Sequence, residues 1–303
     1  MRKNNTPVVL LMLCMTILSG CIKKEHLEDT VIVAFLRAKD FDSTSYWSKL
    51  GNELTLQAQK QDKEIHVFYT KTLPGSTEQA NIIDSVWNIY GDRIRKVIFA
   101  SSGPEAEHSL SKHLNNQTKL GIIDSPLNNQ SILKSSFSNV IATDNETAGL
   151  RMGLFAYTMN HVANKDKRVS IICDSTSNAS LIRTSAIIRV LFDKNIHPNI
   201  IDIRHALPSC RFSAELFKDR NIILATTATA SAACLNSGLI KSNGYYTFAF
   251  DDDDSILDAI SEGEIQGTIV QDINRISGET IRRLFTTTPG KETLADAITI
   301  LAK

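Results

Sequence analysis

Two kinds of side chain in this sequence are placed to do chemistry: carboxylates that end apolar runs, and an aromatic pair at the head of a helical stripe. Asp124 follows Leu120-Gly121-Ile122-Ile123 and precedes Ser125-Pro126. Asp251 follows the run from Tyr245 to Phe250 and opens the series Asp251-Asp252-Asp253-Asp254. An ionised carboxylate only accepts hydrogen bonds, through two oxygens, so one such group can hold two adjacent hydroxyls. Asp124 has a competing role as a loop carboxylate satisfied by backbone N–H groups. Tyr46 and Trp47 offer aromatic faces on which the C–H face of a pyranose or furanose can pack, with hydroxyls turned sideways to polar groups. Trp47 also belongs to a helical stripe with Leu50 and Leu54, so both a pocket and a core role are open to it. Asp252 to Asp254 suit the N-terminus of a helix, where acids cap N–H groups and meet the dipole. Consecutive aspartates cannot all point at one ion, and no Cys or His spacing suggests a metal site. No Ser–His–Asp or Cys–His arrangement is evident either. Binding without catalysis, and without a cofactor, is the expectation.

These groups need elements to hold them. Val31 to Leu36, Ile65 to Tyr69, Val97 to Ala100 and Leu120 to Ile123 are short apolar runs, as in strands buried on both faces of a parallel sheet. Helical spacing separates them, with Leu50, Leu54 and Ala58 in one helix and Ile82, Ile83, Val86 and Tyr90 in the next. After a second run, Val140-Ile141-Ala142, the alternation starts again. A long helix covers 145–161, and strands follow at 169–173, 200–203, 222–225, 245–250, 268–271 and 297–300. Alternating strands and helices imply parallel sheets with right-handed crossovers. Ligands then sit beyond the carboxyl ends of the strands, where Asp124 and Asp251 stand.

The chain has 303 residues, 33 basic against 33 acidic, and 42% hydrophobic residues, enough for two lobes. A balanced charge argues against a nucleic-acid partner. Arg2 and Lys3 precede an apolar stretch from Val8 to Leu18 that is short for a membrane span, and it ends in Leu18-Ser19-Gly20-Cys21. This resembles a bacterial lipobox, in which Cys21 is lipidated and begins the mature chain. Residues 1–20 are then a lipoprotein signal peptide and 21–29 a polar tether. The body is expected in the cell envelope, held on a membrane by its lipid and outside the cytoplasm. Without residues 1–20 the chain carries 31 basic and 33 acidic residues. Cys173, Cys210 and Cys234 remain, an odd number that allows at most one internal disulfide.

Three segments in order carry a family resemblance. The first is Tyr46-Trp47 followed by Gly51. The second is Ile141-Ala142-Thr143-Asp144-Asn145-Glu146-Thr147-Ala148-Gly149. The third is Phe250-Asp251 with Ala259-Ile260-Ser261-Glu262-Gly263-Glu264-Ile265-Gln266-Gly267-Thr268-Ile269-Val270-Gln271-Asp272. Over residues 30–303 the chain resembles the type I periplasmic binding proteins of the ribose- and galactose-binding kind, whose fold is shared with lac-type repressor cores. The resemblance implies two Rossmann-like α/β lobes joined by a three-strand hinge. The N-terminal lobe would be 30–142 plus 272–288 and the C-terminal lobe 143–271 plus 289–303. The crossings would fall near Ala142-Thr143, Gln271-Asp272 and Pro289-Gly290, and the lobes would close on ligand by hinge motion.

The resemblance also implies roles. Arg183, with donors in a fixed plane, would face the ligand. Asp251 would be the ligand-binding aspartate, and Gln271 would meet a hydroxyl near the hinge. Thr226 or Thr227 stands where relatives carry Asn-Asp, and Ser125 where they carry Arg, two departures from a standard sugar site. Asp144 and Asn145 would cap their helix and fix the crossover. The expected function is a lipid-anchored protein that captures a small polar ligand, a sugar, in the cleft for an ABC importer. The alternative is a sensing subunit that reports ligand to a membrane kinase or chemoreceptor. The partners are thus a small polar ligand, an ABC permease or membrane sensor, and the membrane through the anchor.

Overall fold

The computed structural model describes residues 30–37, 46–71, 75–124, 127, 132, 137–162, 168–175, 177, 178–205, 211–217, 220–238, 245–286, 293–295 and 297–301. Cys21, the signal peptide expected at residues 1–20, Ser125, Cys210 and Pro289-Gly290 lie outside the described residues.

The first sheet contains β1 (Val31–Leu36), β2 (His66–Tyr69), β3 (Ile94–Phe99), β4 (Lys119–Ile123), β5 (Phe137–Thr143) and β11 (Thr293–Ala295). The second contains β6 (Arg168–Cys173), β7 (Asn199–Asp202), β8 (Arg220–Ala225), β9 (Tyr246–Phe250), β10 (Gly267–Gln271) and β12 (Ala297–Leu301). Their orders, β11-β5-β4-β3-β1-β2 and β12-β10-β9-β8-β6-β7, correspond position by position. The two lobes are therefore topological repeats, with β4 equivalent to β9. In each lobe the first strand sits between the second and third, which places a switch point at its carboxyl end.

The continuous apolar runs have a direct cause, because both faces of each sheet are covered. Ile32, Ala34 and Leu36 of β1 pack under Leu50 and Leu54 of α1 (Tyr46–Gln59) and Ile276, Ile281 and Leu284 of α8 (Ile273–Phe285). The alternate residues Val33 and Phe35 meet Ile83 and Val86 of α2 (Ser76–Tyr90) and Leu110 of α3 (Pro104–His113). In the second lobe, α4 (Asn145–Val162) and α5 (Asn178–Phe192) cover one face, where Met152, Ile187 and Leu191 pack on Val169, Ile171 and Phe248. On the other face lie α6 (Ala228–Asn236) and α7 (Asp254–Ser261), through Ala230, Ala233, Ile256 and Ile260. Burying a side chain of Val, Leu or Ile size contributes about 1.5–3 kcal/mol, so these four layers drive the fold. No helix among the described residues is long and apolar enough to cross a membrane.

Two expectations need correction. The third passage between sheets falls between Ala295 and Ala297, not near Pro289-Gly290, because Thr293–Ala295 pairs with Ile141–Thr143 in the first sheet. The sheets are also not wholly parallel, since β12 runs antiparallel to β10. The connection explains this. Parallel strands need a long crossover to return the chain to the same end, and only residue 296 separates β11 from β12. β11 ends at the carboxyl end of the first sheet and β12 begins at the carboxyl end of the second.

Candidate functional site

The carboxyl ends of both sheets face one cavity. From the first lobe it is lined by Arg37, Tyr46, Trp47 and Asp124, and from the second by Asp174, Ser177, Arg183, Thr227, Thr229 and Asp251. Gln271 lines it at a passage between the lobes. Of the residues expected from sequence, the structure thus brings together Tyr46, Trp47, Asp124, Arg183, Asp251 and Gln271.

Asp124 and Asp251 occupy equivalent places, one residue beyond β4 and β9. Both adopt left-handed backbone, with φ of 72° and 71°. Positive φ is uncommon without glycine, and Asp is among the residues that tolerate it. Here the turn lifts each carboxylate out of its strand and into the cleft. Asp251 is held tightly, its N–H donating to Ile269 O at 2.7 Å and its carbonyl accepting from Thr268 Oγ1 at 2.6 Å.

Asp251 Oδ1 accepts from Gln271 Nε2 at 3.0 Å, and Gln271 Oε1 accepts from Thr143 Oγ1 at 2.7 Å. Thr143 ends β5 and Gln271 ends β10, so this chain of bonds ties two lobe passages to one pocket carboxylate. Asp251 is 6% exposed, and burial pushes its pKa from 3.8 up to about 7 despite opposing help from Arg183 and the Gln271 bond. Removing water from a charged carboxylate costs more than one distant guanidinium returns.

Arg183 is buried at 3% exposure, with its guanidinium 3.5 Å from the centroid of the Phe250 ring. Nε donates to Asn145 Oδ1 at 2.8 Å and Nη1 to the Thr226 carbonyl at 2.7 Å. Asn145 therefore orients Arg183, while Asp144 caps α4 by accepting from Thr147 N at 2.9 Å. Close packing of α4 on α5 also fixes this arginine. A Cβ on Gly149 would meet the Arg183 carbonyl and lie 2.8 Å from Ala186 Cβ. Asp251 and Asp124 act on Arg183 through space, and the Nη2 group has no protein partner among the described residues.

Tyr46 and Trp47 meet edge to face at 4.8 Å. Both belong to the first-lobe core as well as the cavity wall, so Trp47 plays both parts left open by its spacing. The Tyr46 hydroxyl is buried without a hydrogen-bond partner. Burial and the nearby Asp124 and Asp251 hold its pKa well above the usual value, so it stays a protonated donor. An unpaired buried hydroxyl costs about 1–3 kcal/mol.

Thr226 requires a correction, since it does not line the cavity. It is fully buried, its Oγ1 bonded to Ile172 O at 2.9 Å and to Ser180 Oγ at 2.7 Å. Its backbone N–H still pairs with Ile172, which turns the side chain into the lobe. Thr227 and Thr229 face the cavity instead, and Thr227 Oγ1 caps α6 by accepting from Ala230 N. The expected capping by the aspartates after Asp251 is also different. Asp253 is the N-cap of α7 but makes no side-chain cap bond. Asp252 reaches across the cleft, where Lys49 Nζ on α1 donates to its carbonyl at 2.9 Å and to Oδ1 at 3.0 Å. Cys173 and Cys234 are both free and buried.

Sequence reasoning passed over Arg37, Asp174, Ser177 and Thr229, and left Thr227 as an alternative to Thr226. The rule that singled out Asp124 also reaches Arg37, one residue beyond β1, and Asp174, one residue beyond β6. Ser177 carries a helix-start signal, and its side chain accepts from Ser180 N. No group of three or more potential metal ligands is found among the described residues.

No protein-family model matches this sequence, and no curated protein sequence matches it. Solved structures do. A solute-binding protein of an ABC transporter from Burkholderia graminis, in complex with D-arabinose, superposes with a TM-score of 0.72 at 15% identity, covering 89% of this chain and 95% of its own. A sugar transporter from Clostridium phytofermentans gives 0.71 at 16% identity, covering 90% and 100%. A glucose-galactose binding protein from Geobacillus stearothermophilus gives 0.69 at 14% identity, covering 90% and 97%. With two matching sheets and a cleft between their carboxyl ends, this chain has the fold of the type I periplasmic binding proteins of sugar ABC transporters.

Proposed function

We propose that this chain is a lipid-anchored receptor that captures a small polyhydroxylated ligand, a sugar, between its lobes and hands it to an ABC importer. The observation that carries this reading is the pair of strand-end aspartates, Asp124 and Asp251, lining one cavity from opposite lobes. Carboxylates accept from hydroxyls, while Arg183 Nη2 and the Tyr46 hydroxyl donate to ring or hydroxyl oxygens. The three solved structures named above are described as sugar-binding, solute-binding or sugar-transport proteins, which supports the ligand class and the importer. Cys21 would carry the lipid, and the nine residues from Cys21 to Asp29 would tether the lobes to the membrane. The protein binds and releases its ligand unchanged.

Ligand would draw the lobes together, and Thr143, Gln271 and residues 295–297 would carry the motion. The test is a thermal-shift screen over pentoses, hexoses, polyols and furanose signals. A ligand at 100 times its Kd stabilises the native state by about 2.7 kcal/mol. A panel in which no hydroxylated compound raises the melting midpoint contradicts the proposal.

A further inference from the structure

Arg37 forms no ion pair with a described residue. It follows β1 directly and lines the cavity, and its Nε is buried without a hydrogen-bond partner. Among the described residues no ion pair or hydrogen bond involves it. Its one specific contact is with Trp47, the guanidinium carbon lying 5.9 Å from the ring centroid. An arginine over an aromatic ring is held in place by the ring's negative face, yet that contact satisfies none of its N–H groups.

The cavity's other guanidinium is different. Arg183 has Asn145 and the Thr226 carbonyl as acceptors, and the charges of Asp251 and Asp124 act on it. Its position is fixed before any ligand arrives. Arg37 has donors and charge but no hydrogen-bond acceptor among the described residues. Buried donors are normally paired, so this one calls for an acceptor that the ligand supplies. A neutral hydroxyl would satisfy one N–H but leave the charge unmatched. A carboxylate or phosphate would match both, through the two-pronged geometry that arginine offers oxyanions.

We propose that the ligand bears an acidic group in addition to its hydroxyls, and that Arg37 is the residue that reads it. This deepens the sugar-receptor reading and rests on it. Asp124 and Asp251 would take the hydroxyls, while the oxyanion would lie toward the first lobe at Arg37.

The test uses matched probes with the full-length protein: a hexose against its uronic acid, and a pentose against its 5-phosphate, titrated by calorimetry. The wild-type protein should bind the acidic member of at least one pair about tenfold or more tightly than the neutral member. The pair that shows the effect tells carboxylate from phosphate. In R37Q the acid-to-neutral ratio should fall toward one, and in R37K, which keeps charge without the fork, it should fall part of the way. The ligand-free melting midpoint of R37Q should change little, because the ring contact with Trp47 is lost but no hydrogen bond or ion pair with a described residue is. Neutral members that bind as well as acidic ones, or a ratio unchanged in R37Q, would overturn the inference while leaving the sugar receptor standing. If no probe of either kind binds, both readings fall together. Should R37Q fail to fold, the wild-type ratio and R37K decide the matter alone.

Discussion

Replacing Asp251 with asparagine should stabilise the ligand-free protein while weakening its grip on ligand. The side chain is 6% exposed and its carboxyl is pushed from 3.8 to about 7, chiefly by burial. In the unfolded chain the group ionises near its ordinary value. Between about pH 4 and about pH 7 the folded protein therefore holds a proton that the unfolded chain has released. Stability falls as the pH rises through that window. Each pKa unit corresponds to about 1.4 kcal/mol, so the ionised folded state bears on the order of 4 kcal/mol at most by about pH 8. Asparagine has the same shape, can keep an acceptor toward Gln271 Nε2, and carries no charge to desolvate. The stability of D251N minus that of wild type should thus be near zero at about pH 4 and grow to a few kcal/mol at about pH 8. Urea unfolding of both proteins across this range measures the difference, in which all other titrations cancel. Affinity for the ligand should drop roughly ten- to a hundredfold, the loss of a charge-assisted bond. A stability difference independent of pH, or a less stable D251N at about pH 8, would refute the reasoning.

Two further perturbations separate the cleft from its supports. Lys49→Met removes a bond between lobes whose side chains are about 30% exposed, worth about 0.2–1 kcal/mol. Ligand dissociation, followed by stopped-flow fluorescence, should quicken by roughly 1.5- to fivefold, with less difference at high salt. Thr226→Val removes the buried side-chain bonds of Thr226 to Ser180 Oγ and to the Ile172 carbonyl, while the backbone N–H of residue 226 still pairs with Ile172. It should cost about 1–3 kcal/mol in urea unfolding and change ligand affinity less than Arg183→Ala does.

Much of this architecture could be read from run lengths. Strands such as Val31–Leu36 and Lys119–Ile123 are covered on both faces, so Val31 to Leu36 and Leu120 to Ile123 appear as unbroken apolar segments, and the residue following each one is at the cleft by construction. That is why Asp124 and Asp251 stood out. The reading weakened wherever a single residue decides direction. Thr226 and Thr227 differ by one position, and the pairing of the Thr226 N–H with Ile172 sends one side chain inward and the next outward. The passage from β11 to β12 was missed because Thr293–Ala295 is too short to carry a strand pattern. Asp252 resembled a helix cap, and only the spatial approach of Lys49 showed its partner. Arg37 was legible in principle, since it directly follows the apolar run Val31 to Leu36.

The structure of a complex with the strongest stabiliser from the ligand screen tests the central claim most directly. The ligand should lie between the lobes, with hydroxyl oxygens within about 3 Å of the carboxylates of both Asp124 and Asp251. A ligand bound on the outer face of one lobe, or in the cleft without contact to either aspartate, would contradict it.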